Sequence, residues 1–122
     1  MKIECSINKI KNALMSVERV TGKNLTLPVL GSVLWVASGK TLKLRATNLN
    51  IGIEIEVPAR VEKEGTVAVR GDILSSLFSI LQGDLNVSFE LINGNLLVKT
   101  NSSTIILKTI PSEDFPTIPQ IE

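Results

Sequence analysis

Enzymes need an acid, a base, a nucleophile or a metal set, and the side chains able to supply these are few here. Histidine is absent from the 122 residues, and with it the commonest general base and the commonest metal ligand. The carboxylates that remain are scattered. Glu54 and Glu56 alternate along an apolar run, which reads as the solvent face of a strand. Asp72 and Asp84 flank the ends of a helical stretch, where capping explains them. Ser38-Gly39-Lys40-Thr41 ends like a phosphate-binding loop. That motif needs a glycine five residues before Gly39, where Leu34 stands, and a helix after Thr41, where alternation predicts a strand. The single cysteine, Cys5, shares strand parity with Ile3 and reads as a buried thiol. These residues assemble no catalytic or metal site, and no cofactor is expected.

The polar groups that do share a surface suit weak phosphate contact instead. Wound at 3.6 residues per turn, GDILSSLFSILQGD (residues 71–84) gathers Ile73, Leu74, Leu77, Phe78 and Leu81 on one side. Opposite stand Ser75, Ser76, Ser79 and Gln82, short or neutral where a surface helix normally carries Lys and Glu. A second amphipathic stretch, residues 7–20, has its apolar stripe at Ile7, Ile10, Leu14 and Val17, with Ala13 beside it. Its other face offers Asn8, Lys9, Asn12, Ser16 and Arg19, with Lys23 just beyond. Together these form a mildly positive, short-chained surface able to touch phosphates without gripping them. Such a surface also reads as a plain solvated one, and the residues alone leave both readings open. Thirteen basic against twelve acidic residues give a formal charge of +1, far from a protein that holds nucleic acid by charge alone. With one Trp inside an apolar strand, no Tyr and three Phe, binding of single strands by base stacking is not expected.

The elements that position these groups follow from periodicity. Residues 1–5 read as a strand, Ser6 as the N-cap of the first helix, and Gly22 as a stop. Residues 29–38 form a valine-rich buried strand, which turns at Ser38-Gly39-Lys40 into the alternating strand 41–47. Residues 51–61 make a third strand, with Pro58 marking a sheet edge or bulge. The order then repeats. Strand 66–70 leads through Gly71-Asp72 into the second helix, stopped by Gly83; strand 85–92 turns at Asn93-Gly94-Asn95 into strand 96–101, and strand 103–109 follows. Halves of about 1–62 and 63–110 share the plan β-α-β-β-β with little residue identity, a repeat of pattern only. The fold class expected is α+β, two helices on one face of a continuous, largely antiparallel sheet, in a single domain over residues 1–122. With 43 % hydrophobic residues such a domain buries roughly two thirds of its surface. No apolar run approaches a membrane span, and residues 1–14 alternate too soon for a signal peptide, so a cytoplasmic protein is expected.

The last strand is unusually apolar for an edge, with Ile105, Ile106 and Leu107 in succession and Lys108 its only charge. Soluble proteins usually protect edges with charge or proline, so this one expects a partner. One function class consistent with that alone is a non-catalytic interaction module working through its exposed sheet edge.

Two motifs make a more specific resemblance. The run TLPVLGSVLWVASGKTLKLRATNL (residues 26–49) and the run TIPSEDFPTIP (residues 109–119) resemble the N-terminal domain of the bacterial DNA polymerase III beta subunit, the sliding-clamp family, in register from Met1. The resemblance implies three similar domains per chain, with residues 111–122 as the connector to the next. Two chains would close head to tail into a ring around duplex DNA, contacted without regard to sequence, the helices lining the inner wall. It implies a processivity role with no catalysis, and docking of polymerase and clamp loader on later domains. The family's basic DNA contacts fall here on Asn24 and Asp72, so the DNA-facing set expected is Lys9, Asn12, Arg19, Lys23, Asn24, Ser75 and Ser79, with Arg70 near. Ring closure would run a sheet across to the second protomer, with Ile105 and Leu107 at the heart of the contact and Ile73 and Leu77 completing it.

Overall fold

The computed structural model describes residues 1–18, 32–47, 52–81, 86–100 and 103–110. Strand β1 (Lys2–Ser6) turns Ile3 and Cys5 inward and passes at once into helix α1 (Ile7–Glu18), with Ser6 at the N-cap position. The stripe Ile7, Ile10, Leu14 and Val17 is wholly buried with Ala13 at its side, as the 3.6-residue period requires. The expected continuation to residue 20 lies outside the described residues. Strands β2 (Ser32–Ser38) and β3 (Thr41–Thr47) form a hairpin whose first turn residue, Gly39, has φ 65°, as a type II′ turn needs.

The chain then departs from the expected single strand. Strand β4 (Gly52–Pro58) stops at the proline, the amide of Ala59 donates to the Lys40 carbonyl at 3.0 Å, and β5 (Arg60–Lys63) begins on a different sheet. Proline has no N–H to continue a ladder, so the run of alternating residues is cut there. Strand β6 (Gly65–Arg70) feeds helix α2 (Gly71–Ile80). Its N-cap residue is Arg70, extended at φ −64° and ψ 141°, and no side chain caps it. Asp72, expected as the cap, is therefore the second residue of the helix. The helix starts earlier than its apolar pattern because the strand runs straight into Gly71. Position 72 still favours a carboxylate through the helix dipole. Strands β7 (Asn86–Ile92) and β8 (Asn95–Lys99) flank a two-residue turn in which Asn93 (φ 50°) and Gly94 (φ 80°) are both left-handed, the type I′ pattern. Strand β9 (Thr104–Lys108) follows.

The expected continuous sheet is in fact two, ordered β5-β1-β7-β8-β9 and β4-β3-β2-β6, with every pairing antiparallel. Each half lends its opening strand to the other. Strand β1 sets Ile3 against Phe89 and Cys5 against Val87 of the second half, while β6 sets Val67 against Trp35 and Val69 against Val33 of the first. The exchange ties the halves into one core, where the Trp35 and Phe89 rings meet edge to face at 4.9 Å and 68°. Burying a large apolar side chain stabilises by about 1.5–3 kcal/mol, and Trp35, Phe89 and Leu44 are all fully buried. Helix α1 lies over β4, β3 and β2, and α2 lies beside β6 and against α1, so their unburied faces adjoin.

Candidate nucleic-acid interface

On α1, the inward positions Ile7, Ile10, Ala13, Leu14 and Val17 leave the opposite side of the helix facing out. Asn8, Lys9, Asn12, Met15 and Ser16 are exposed. The helix has no acidic residue in its first turn, and Lys9 makes no ion pair among the described residues. Ser16 turns its hydroxyl back to donate to the Asn12 carbonyl at 3.1 Å, so in this rotamer its proton is used within the helix. Lys11 is half-buried at the junction with α2, where its Nζ donates to the Leu81 carbonyl at 3.3 Å. On α2, Leu74 and Leu77 are buried, Ile73 is half-buried against the core and Ser76 is exposed.

Of the expected DNA-facing set, Lys9 and Asn12 thus share the outer face of α1. Ser75 and Ser79 belong to α2, but their side chains are outside the described residues, as are Arg19, Lys23, Asn24 and Gln82 altogether. Arg70 is exposed at the α2 N-cap. Sequence reasoning missed Lys11, which the wheel puts beside the apolar stripe, and Met15, an apolar residue on the polar face.

Several carboxylates are engaged on the sheets, and one of them, Glu56, borders the same groove as Lys9, Asn12 and Ser16 of α1. Glu54 accepts from Arg45 Nε at 3.2 Å, and Lys43 stands 3.8 Å from Glu56 on the outer side of the β3–β4 pair. This cross-strand charge ladder accounts for the alternating glutamates without catalysis. Glu62 pairs with Lys2 at 3.4 Å. Glu64 accepts from the Gly39 amide at 2.9 Å and the Ser38 hydroxyl at 3.0 Å; these bonds hold its carboxyl below the ordinary value of 4.5. Burial, reinforced by the Glu4 charge, pushes the Cys5 thiol up to about 12, so the inert reading of that cysteine agrees with its surroundings.

The other candidate surface is the edge of the five-stranded sheet, where β9 has β8 on one side only. Its parity sets which side chains of the strand face out. Leu107 is 6 % exposed opposite Leu96, Ile105 packs inward opposite Val98, and it is Ile106, 67 % exposed, that points outward. Leu77 is likewise a core residue at 1 %. Leu77 and Leu107 thus pack into the core of this chain, and Ile106 is the outward side chain of the edge. The alternation of Ile105 and Leu107 with Ile106 held that information, because only one parity can face the core. Just past β9, the Ile110 amide donates to the Ala68 carbonyl at 2.9 Å, fastening the end of this strand to β6 of the other sheet.

Comparison with known proteins follows the same lines. The family model described as DNA polymerase III beta subunit, N-terminal domain, matches residues 1–119. The chain is 28 % identical over 124 residues to the beta sliding clamp of Synechococcus elongatus, covering all of this chain and 33 % of that protein. It is 34 % identical over 110 residues to the beta sliding clamp of Pseudomonas putida, covering 86 % of this chain and 29 % of that one. Among solved structures, the Pseudomonas aeruginosa DNA polymerase III beta subunit superimposes with a TM-score of 0.90 at 29 % identity, covering 98 % of this chain and 33 % of that one. A Helicobacter pylori beta clamp bound to a DNA ligase peptide gives a TM-score of 0.89 at 26 % identity, covering 100 % and 34 %. The chain thus spans about a third of the length of these relatives. No helix among the described residues is long and apolar enough to cross a membrane.

Proposed function

Because the chain belongs to the DNA polymerase III beta subunit family and matches its N-terminal domain over residues 1–119, we propose that it forms one segment of a ring that encircles duplex DNA and keeps a replicative polymerase on its template. Its share of the relatives' length, 33 % of the cyanobacterial clamp, supports one domain of three in such a protomer. The role is mechanical, and its setting is the cytoplasm.

The observation that carries this reading is the paired-helix face. Two helices lie side by side with their apolar stripes buried, and the outer side of α1 offers Asn8, Lys9, Asn12 and Ser16. Arg19, Lys23, Asn24, Ser75 and Ser79 extend this surface in the proposal. Each phosphate neutralised adds about 0.9 to the salt slope, and a handful of contacts supports only weak, sequence-independent binding, roughly 10⁻⁴ to 10⁻⁶ M. A closed ring holds by topology, so weak contacts suffice and leave the ring free to translate. Substituting Lys9→Glu in the full-length protein tests the face. Loading onto DNA should slow several-fold at low salt with the melting temperature unchanged, since Lys9 is exposed and unpaired among the described residues. Unchanged loading would count against it.

The exposed β9 edge supports ring closure through a second protomer, with the backbone of β9 and Ile106 at the contact and Ile105 and Ile73 beneath. Leu77 and Leu107 back this contact from the core. The same edge is the feature that favours the alternative, an interaction module without a DNA role. Polymerase and clamp loader are proposed to dock on regions of the protein other than this chain.

A further inference from the structure

Helices that line a wall facing phosphates bring a difficulty of their own. The last carbonyls of a helix lack intrahelical partners and together carry about half a negative charge. Helix α2 closes its last turn with the Leu81 amide donating to the Leu77 carbonyl at 3.0 Å, and the chain then leaves in an extended conformation at φ −75° and ψ 103°. The usual remedy is a Lys or Arg in the last turn, and α2 has none.

The missing cation comes from the other helix, 70 residues earlier in the chain. Lys11 Nζ donates to the Leu81 carbonyl at 3.3 Å, its stem half-buried while Lys9 and Asn12 on the same helix are exposed. Lys11 therefore differs in kind from a solvated surface lysine. Its aliphatic part lies at the helix junction and its head sits on the C-terminal pole of α2, whose partial negative charge would repel DNA.

We propose that Lys11 is a positioning residue for the DNA-facing surface. It latches the C-terminal end of α2 to α1 and neutralises the negative pole that α2 otherwise presents to phosphates. This rests on the reading that the helix pair faces DNA. A neutral side chain of equal length at this position would keep the packing yet leave the pole bare, and its effect would be felt only where salt does not screen it.

The test uses the isotope-labelled 122-residue chain and a short duplex, titrated by amide NMR at about 50 mM and about 300 mM salt. In the wild type, shifts at Asn8, Lys9, Asn12 and Ser16 are expected. Lys11→Met should bind about two- to five-fold more weakly at the lower salt, with the gap closing at the higher, and Lys11→Arg should restore it. Lys11→Gln serves as a second neutral variant should Met repack the junction. The Leu81 carbonyl carbon should move in both neutral variants before any DNA is added. Wild-type shifts that persist unchanged in strength in Lys11→Met and Lys11→Gln overturn the proposal alone, as does a Leu81 carbonyl indifferent to the substitution. If the wild type shows no shifts on α1, the reading of the face fails and the proposal falls with it.

Discussion

Glu64 shows how a single surface carboxylate can hold the fold in register. Its carboxylate takes two donors from the β2–β3 turn, the Gly39 amide and the Ser38 hydroxyl, and so ties that turn to the corner between β5 and β6. Those two bonds hold its pKa below 4.5. A carboxyl depressed in the folded state adds stability that is complete above its unfolded value and fades as pH falls through the folded one. Wild type should therefore lose more stability than Glu64→Gln on acidification below pH 4.5, as read from urea midpoints across the acid range. Parallel pH profiles for the two would show that the turn is held otherwise. The glutamate is visible in the sequence, but its partners lie 25 and 26 residues away and carry no pattern. Lys11 was hidden in the same way, since a wheel reports direction and not which neighbour the head will reach.

Elements were legible wherever the signal is local. The stripe of α1 was legible in full, and that of α2 at Ile73, Leu74, Leu77 and Leu81; Asn93-Gly94 announced the β7–β8 turn because few pairs tolerate two left-handed residues. Gly94→Val places a β-branched residue at φ 80°, and should cost about 1–3 kcal/mol. The urea midpoint should fall with the slope unchanged; an unaffected midpoint would mean the turn relaxes freely. What periodicity did not contain was pairing. Alternation at Ile3 and Cys5 is satisfied equally by any apolar neighbour, so nothing local revealed that β1 lies between Val61 of its own half and Phe89 and Val87 of the other. The break after Pro58 was half visible. The proline marked an irregularity, but only the other sheet, with Val61 beside Ile3, explains where the chain goes next.

For the whole molecule, the exchange of opening strands makes the two halves inseparable, and it leaves β9 as an edge with an outward isoleucine. Alone, the 122-residue chain should sediment as a monomer or associate weakly through that edge, and Ile106→Asp should abolish the association while leaving the fold intact. Leu107→Asp would instead unfold the chain, because its side chain is in the core. A tight dimer indifferent to Ile106→Asp would mean that another edge carries the contact. The central claim concerns topology rather than affinity, and one measurement separates the two. The full-length protein is loaded on nicked circular DNA, separated from free protein at a salt concentration that abolishes simple ionic binding, and followed after a single cut. The account predicts retention on the circle and rapid loss from the linear product, because a ring slides off an end. Equal retention on both, or loss from both, would contradict it.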